Sequence, residues 1–150
     1  MLYDNGGSEP SITASSIKIV TAAAAMQALG PNFRISTKVV YSPAKPDTVV
    51  LVGGGDPTLS RLATGSSVYS GAPRLSDLAQ QVNDWALSAG VTEIKHLVLD
   101  ASLITGSTWH SSWPTYERTA GYQPLITSLM VDGDRANPKA AKSPRSTDPV

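Results

Sequence analysis

The strongest hydrophobic stretch of the chain covers residues 15–29, which are helix-compatible and apolar on nearly every face. Gly30 and Pro31 follow it, and both residue types commonly end helices. A helix that is apolar all round is normally buried, so the pattern predicts a central helix within a domain. Its apolar core is too short to span a bilayer, and we interpret it as a buried helix rather than a membrane anchor.

Alternating and β-branched residues predict a sheet after this helix. Residues 35–41 and 48–52 are expected to form two neighbouring strands, joined by a polar loop. A second helix is indicated by apolar residues at helical spacing, with Ser76 as its N-cap and Gly90 as its stop. Its apolar positions, which should cover the sheet, are Leu75, Leu78, Val82, Trp85 and Ala86.

A third strand is predicted over residues 94–99. Strand, helix and strand in succession favour a right-handed crossover between parallel strands, so the fold class is α/β with mixed α+β character. A long aromatic loop follows, and residues 126–131 predict a last strand. From Asp132 onward the chain is rich in proline and turn residues and predicts no further element.

Composition excludes several classes of function. Among the 150 residues, 41% are hydrophobic, 16% are charged and the formal net charge is zero, so no polybasic surface indicates a nucleic-acid partner. The chain has no cysteine, which excludes disulfides and thiolate chemistry. No signal peptide is visible, because residues 1–5 resemble the end of a strand entering a turn at Gly6. We therefore expect a chain trimmed at its start.

Candidate chemistry lies at the beginning of the first helix. Ser15 and Lys18 form a Ser-x-x-Lys motif, and a spacing of three places both side chains on one helix face. The lysine amine could then take the serine proton and generate a nucleophile. It must be uncharged for this, and burial among the apolar residues around it is expected to favour that form. The helix N-terminus favours negative charge on the serine.

The motif alone is weak, because it occurs twice. Ser42 and Lys45 match it too, but Pro43 and the turn between two predicted strands are incompatible with helical geometry. For Ser15 and Lys18 the structural alternative is a helix N-cap and a lysine that extends to solvent.

The surrounding sequence resembles the class C low-molecular-mass penicillin-binding proteins. Residues 14–25, with Ser15 and Lys18, are similar to the active-site helix of that family, and further similarity extends over nearly the whole chain. The similar segments are residues 29–39, 51–59, 97–100 and 130–135. Thr13 departs from the family, whose members usually carry proline there.

The resemblance implies a transpeptidase/β-lactamase-like catalytic domain interrupted by a large inserted α/β domain. Residues 1–34 would be the first part of the catalytic domain, and residues 35–150 the insert, incomplete at its C-terminus. The family also requires Ser-x-Asn and Lys-Thr-Gly motifs, and neither occurs in this sequence. We therefore expect the missing C-terminal part of the same protein to be a partner of this chain.

The activity implied is that of a serine D-Ala-D-Ala carboxypeptidase, with Ser15 as nucleophile and Lys18 as base. Peptidoglycan stem peptides would be its substrates, β-lactams would acylate the same serine, and no cofactor or metal is implied. Because peptidoglycan lies outside the cytoplasmic membrane, the parent protein should be exported. The alternatives are a β-lactamase or esterase on the same fold, and a non-catalytic cell-wall-binding module.

Other conspicuous residues are expected to be structural. Residues 53–58 include three glycines but lack the lysine of a phosphate-binding loop, and indicate a conformationally demanding turn. His96 and His110 are too isolated to predict a metal site. The long loop contains four aromatic residues, which we expect to pack the loop rather than to stack on a sugar or peptide. They are Trp109, Trp113, Tyr116 and Tyr122.

Overall fold

A computed structural model describes residues 6–148 of the chain. The chain divides into two compact units, Met1–Arg34 and Ile35–Val150. The strand end predicted for residues 1–5 lies outside the described residues.

The first unit contains the serine helix. A 3-10 turn, Ala14–Ser16, leads directly into helix α1, Ile17–Leu29. Gly30 ends the helix with a φ of 78°, a conformation that only glycine adopts without strain. The predicted helix and its stop are confirmed. Among the described residues, no helix combines the length and hydrophobicity needed to cross a membrane.

The predicted burial of this helix is wrong. Helix α1 has no buried residue, and its apolar side chains are largely open, with Ile19 73% and Val20 63% exposed. The physical reason is that the described part of the first unit contains no strand and no second α-helix that could cover it. An all-apolar helix without a partner keeps its hydrophobic surface in water.

The second unit is built on a three-stranded sheet. Its strands are β1, Lys38–Tyr41, β2, Thr48–Val52, and β3, His96–Asp100, in the order β1-β2-β3. Strand β1 pairs antiparallel with β2, and β3 pairs parallel with β2. The predicted strands and the parallel crossover are confirmed, although β1 and β3 begin three and two residues later than expected.

Helix α2, Leu75–Ser88, connects β2 to β3. The predicted N-cap is wrong, because Arg74 occupies the cap in extended conformation and Ser76 lies in the first turn. Leu75 donates its backbone N–H to the carbonyl oxygen of Ser60 at 3.0 Å. The helix therefore starts at Leu75, one residue before Ser76. Trp85 packs on Tyr41 of β1, with ring centroids 4.6 Å apart. This ring contact joins α2 to β1, whereas Leu75, Leu78 and Val82 of the helix line an apolar cavity between α2 and the strands.

Residues 126–131 do not form the predicted strand. They are nevertheless central to the unit, since Leu129 and Met130 belong to its buried core. Their backbone groups bond to separate loops: Ile126 N–H donates to the carbonyl of Thr108 at 2.9 Å, and Ser128 accepts from Gly55 at 2.8 Å. The apolar pattern here reports burial rather than pairing in a β-ladder.

Two short helical segments follow β3 in the described part of the chain. A four-residue helix, α3, covers Tyr116–Thr119 within the aromatic loop, and a 3-10 turn covers Asp132–Asp134. All three residues of that turn have positive φ, between 52° and 57°. Two of them are not glycine, so this turn is strained.

Candidate active site

The first unit places Ser15 in the middle of the 3-10 turn that precedes α1. Ser16 secures this turn by donating its backbone N–H to the carbonyl of Thr13 at 3.0 Å. The hydroxyl of Ser16 also donates to that carbonyl. The turn therefore fixes the backbone on both sides of the candidate nucleophile.

Ala14, immediately before Ser15, has a φ of 46°. A left-handed conformation is uncommon for a residue with a Cβ, and such strain is concentrated at functional sites. Nothing in the residue type of Ala14 predicts this conformation. The strained backbone is therefore a feature of the site that sequence reasoning missed.

Lys18 lies one turn along the helix and reaches back to the serine. Its Nζ donates to the Ser15 Oγ at 2.9 Å. This distance is within the range required for proton transfer between a nucleophile and its base. The three-residue spacing therefore brings the two predicted site residues together, as expected.

The environment of this pair differs from the prediction. Both Ser15 and Lys18 are exposed, and the neighbouring apolar residues of α1 do not cover them. The apolar cover expected for this pair is therefore absent from the described part of the first unit. What the first unit provides is the contact between Ser15 and Lys18 on one helix face.

The second Ser-x-x-Lys match lies in the other unit. Ser42 and Lys45 occupy the loop between β1 and β2, where the backbone N–H of Lys45 donates to the carbonyl of Ser42 at 2.9 Å. This is a tight turn rather than a helix, as the proline between them predicts. The pair therefore lacks the helical frame of Ser15 and Lys18.

The glycine-rich segment after β2 is a close-packed turn. A Cβ on Gly53 would overlap the backbone oxygen of Ser128, and one on Gly54 would overlap that of Ser36. Gly55 has a φ of 85°. The expected structural role of these glycines is confirmed, because neighbouring backbone leaves no room for a side chain at Gly53 and Gly54 and the positive φ disfavours one at Gly55.

The two histidines lie in separate places and have ordinary polar neighbours. His96 Nε2 is 4.0 Å from a carboxylate oxygen of Asp47, and His110 Nδ1 is 2.8 Å from the hydroxyl of Ser112. Over residues 6–148, no three histidine or acidic side chains are grouped so that they could hold a metal ion.

The aromatic loop is packed mainly upon itself. The rings of Trp109 and Trp113 meet edge to face with centroids 5.3 Å apart, and Trp109 Nε1 donates to the carbonyl of Trp113 at 3.2 Å. The guanidinium carbon of Arg118 lies over the ring of Trp109, 5.7 Å from its centroid. Tyr116 and Tyr122 remain 60% and 63% exposed, so only the tryptophans have the predicted packing role.

Comparison with known proteins connects this geometry to a family. The profile of the D-Ala-D-Ala carboxypeptidase 3 (S13) family matches residues 1–149. The chain is 38% identical over 150 residues to carboxypeptidase DacB of Mycolicibacterium smegmatis. It is 39% identical over 143 residues to carboxypeptidase Rv3627c of Mycobacterium tuberculosis, and 31% identical over 142 residues to a D-alanyl-D-alanine carboxypeptidase of an Actinomadura species.

These matches cover nearly all of the chain but only part of each relative. They include 99%, 94% and 87% of the chain, against 32%, 30% and 22% of the three relatives. The chain thus spans about a third of the length of the first two. No solved structure gives a significant match. Since the profile matches residues 1–149, the chain belongs to the D-Ala-D-Ala carboxypeptidase 3 (S13) family.

Proposed function

We propose that this chain supplies the nucleophile and base of a serine D-Ala-D-Ala carboxypeptidase acting on peptidoglycan stem peptides. The observation that carries the proposal is the 2.9 Å contact between Lys18 Nζ and Ser15 Oγ. The strained backbone at Ala14 and the family of the chain support it. The proposal favours the catalytic role of Ser15 over simple capping, since Ser16 and not Ser15 bonds back to Thr13.

The reaction proposed is acyl transfer in two steps. Uncharged Lys18 takes the proton of Ser15, and Oγ attacks the carbonyl carbon of the penultimate D-Ala. The peptide bond breaks, the leaving amine of the terminal D-Ala receives the proton, and an ester to Ser15 remains. Water then hydrolyses that ester and restores the serine. A β-lactam would acylate the same oxygen.

Substrate positioning and oxyanion stabilisation must come from additional residues. The chain lacks the Ser-x-Asn and Lys-Thr-Gly motifs that the family requires. Positioning and charge stabilisation lower the activation free energy by several kcal/mol, of which a single oxyanion donor supplies roughly 3 kcal/mol. We propose that both motifs lie in the part of the family fold that this chain does not span. That part is also the partner that would cover α1 and favour an uncharged lysine.

The division of the chain supports a domain proposal. Residues 1–34 would belong to the transpeptidase-like catalytic domain and residues 35–150 to an insert after the serine helix. The two units separate at Arg34 and Ile35, which agrees with this boundary. Since the substrate is part of the cell wall, the proposed place of action is outside the cytoplasmic membrane.

The test measures D-Ala release by a longer form of the protein that carries both missing motifs. Ser15→Ala should abolish release of D-Ala from a D-Ala-D-Ala peptide. Ser42→Ala is the matched control, since it removes the same hydroxyl from the other Ser-x-x-Lys pair, and it should leave the rate nearly unchanged. Unchanged release by Ser15→Ala would refute the assignment.

The alternatives predict different results with a fluorescent penicillin. A non-catalytic cell-wall-binding module would not be labelled. A β-lactamase would be labelled and would then lose the label rapidly, because it deacylates fast. The proposed carboxypeptidase should be labelled at Ser15 and retain the label. The fate of the acyl-enzyme therefore separates the three functions.

A further inference from the structure

Strand β3 forms one edge of the three-stranded sheet, and among the described residues it pairs with β2 only. Its central residues, Leu97, Val98 and Leu99, include no charge and no proline. Charged residues and prolines normally protect an exposed edge from pairing with further strands. The opposite edge has such protection, because β1 begins with Lys38. A parallel strand with a continuous apolar sequence, as in β3, is typical of the interior of a sheet.

The backbone of β3 leaves one side of the strand unpaired. The N–H of Gly53 donates to the carbonyl of Asp100 at 2.9 Å, so the backbone groups of Asp100 point toward β2. Successive residues of a strand point their backbone groups to opposite sides in a parallel ladder. Val98 therefore also faces β2, whereas Leu97 and Leu99 direct their N–H and C=O groups to the open edge.

The side chains of β3 are open on the same side of the unit. Val49 of β2 is 5% exposed, whereas Leu97 and Leu99 are 61% and 50% exposed. Both leucines line an apolar cavity of about 540 Å³ between the sheet and α2. A void of this size is far larger than the gaps in a close-packed protein interior. The core is thus closed at β2 and open at β3.

No described segment of the chain completes this side of the core. Residues 126–131, the last predicted strand, bond to loops instead, through Ile126 to Thr108 and through Ser128 to Gly55. The chain spans 32% and 30% of the first two relatives, which are therefore about three times as long. The family fold has a large further part from which the completing element can come.

We propose that a β-strand from the part of the family fold that this chain does not span adds to the free edge of β3. Its backbone pairs with the N–H and C=O groups of Leu97 and Leu99. Its side chains toward the cavity are apolar, because they extend the wall that these two leucines begin. The inference rests on the longer family protein of the proposed function, but not on Ser15 as the nucleophile.

A strand accounts for both observations at once. It pairs the backbone groups at the edge and covers the apolar side chains beside the cavity. An apolar small molecule could fill the cavity, but it would leave the edge groups of Leu97 and Leu99 unpaired. The backbone of these two residues therefore distinguishes an added strand from a ligand.

Hydrogen exchange with mass-spectrometric fragmentation to single amides tests the proposal in a longer form of the protein that carries both missing motifs. The amides of Leu97 and Leu99 should exchange about a hundredfold or more slowly there than in the 150-residue chain. The amide of Val98 is the internal control, because it faces β2 and should be protected in both proteins. Fast exchange at Leu97 and Leu99 beside slow exchange at Val98 in the longer form would overturn the proposal.

Protein concentration identifies the source of the strand. Protection of Leu97 and Leu99 in the longer form should be unchanged across about a tenfold range of concentration. Protection that is lost on dilution, or equal protection in the 150-residue chain, would indicate a second copy and contradict the proposal. Because exchange does not report activity, a protected but inactive longer form would refute only the proposed function.

A variant tests the apolar contact of the added strand. In the longer form, Leu99→Lys places a charge in the wall that the strand covers, and it should accelerate exchange at Leu97 about tenfold or more. Leu87→Lys is the matched control, because Leu87 is also an exposed leucine but does not line the cavity, and it should leave this rate unchanged. Unchanged exchange at Leu97 in a folded Leu99→Lys protein would contradict the proposed strand.

Discussion

Arg61 and Asp132 form an ion pair across 71 positions of the chain, with Nη1 3.5 Å from Oδ2. The same carboxylate oxygen accepts the backbone N–H of Arg61 at 3.1 Å. Because Asp132 is fully buried, this pair ties the strained turn Asp132–Asp134 to the loop after β2. Asp132 also donates its backbone N–H to the carbonyl of Leu59 at 2.7 Å, which joins the same two loops.

Asp132→Ala should therefore destabilise the chain markedly. It removes both interactions and leaves a buried donor unsatisfied, which we expect to cost about 2 to 4 kcal/mol in the free energy of unfolding. Urea denaturation measures this value. Asp84→Ala on the exposed side of α2 is the control and should change it by less than about 0.5 kcal/mol. An equal loss of unfolding free energy in both variants would show that Asp132 does not anchor the turn.

Gly53→Ala should be more harmful than an alanine at an open glycine. The new Cβ would overlap the backbone oxygen of Ser128, which cannot move without shifting the buried segment that contains Leu129. We expect a cost of about 2 kcal/mol or more. Gly65→Ala is the comparison, because Gly65 has a φ of 76° but no neighbour within 4 Å, so only backbone strain of about 1 kcal/mol applies. Equal thermal shifts for both variants would show that the close approach at Gly53 does not matter.

Asp134 should make the stability of the chain depend on pH. Burial raises its pKa from 3.8 to about 6 in the folded state, against the smaller opposing effect of Arg145. Between these two values the folded chain binds more protons than the unfolded chain, so the free energy of unfolding falls as the pH rises from about 4 to about 6. Asp134→Asn should flatten this part of the pH profile. A slope that persists unchanged in this variant would mean that another group titrates there.

The pattern of the sequence predicted local structure better than burial. Residues 48–52 form the expected strand because β-branched side chains suit a pleated surface, and the spacing of Ser15 and Lys18 fixes their contact on one helix face. The exposure of α1 was not predictable, since burial depends on partner elements that no local pattern describes. Residues 126–131 show the complementary error, where apolar residues are buried without forming a ladder.

The sequence did not predict the cluster of three arginines in the second unit. Arg61, Arg135 and Arg145 are far apart in the chain, and only the tertiary fold brings them to one cavity. The conformation of Ala14 is likewise imposed by the turn around it rather than by its own preference. Both features arise from long-range or backbone constraints, which residue types do not encode.

The exposed face of α1 provides a test of the proposed catalytic domain. In the isolated chain, Ile19→Lys should change the free energy of unfolding by less than about 0.5 kcal/mol, since Ile19 is 73% exposed. In a longer form that carries the Ser-x-Asn and Lys-Thr-Gly motifs, the same change should cost about 2 kcal/mol or more, because a charge would enter a covered apolar surface. Lys95→Ala, an exposed change in the second unit, serves as the control in both forms. An equally small effect of Ile19→Lys in both forms would mean that α1 stays uncovered.

The most direct test of the central claim is to locate the acyl group after reaction with a β-lactam. The longer form of the protein is incubated with penicillin and digested, and the modified peptide is sequenced by mass spectrometry. We predict one added acyl group on the peptide that contains Ser15, at the Ser15 oxygen, and none on the peptide that contains Ser42. Acylation at another serine, or no acylation in a folded protein, would contradict the assignment of Ser15 as nucleophile.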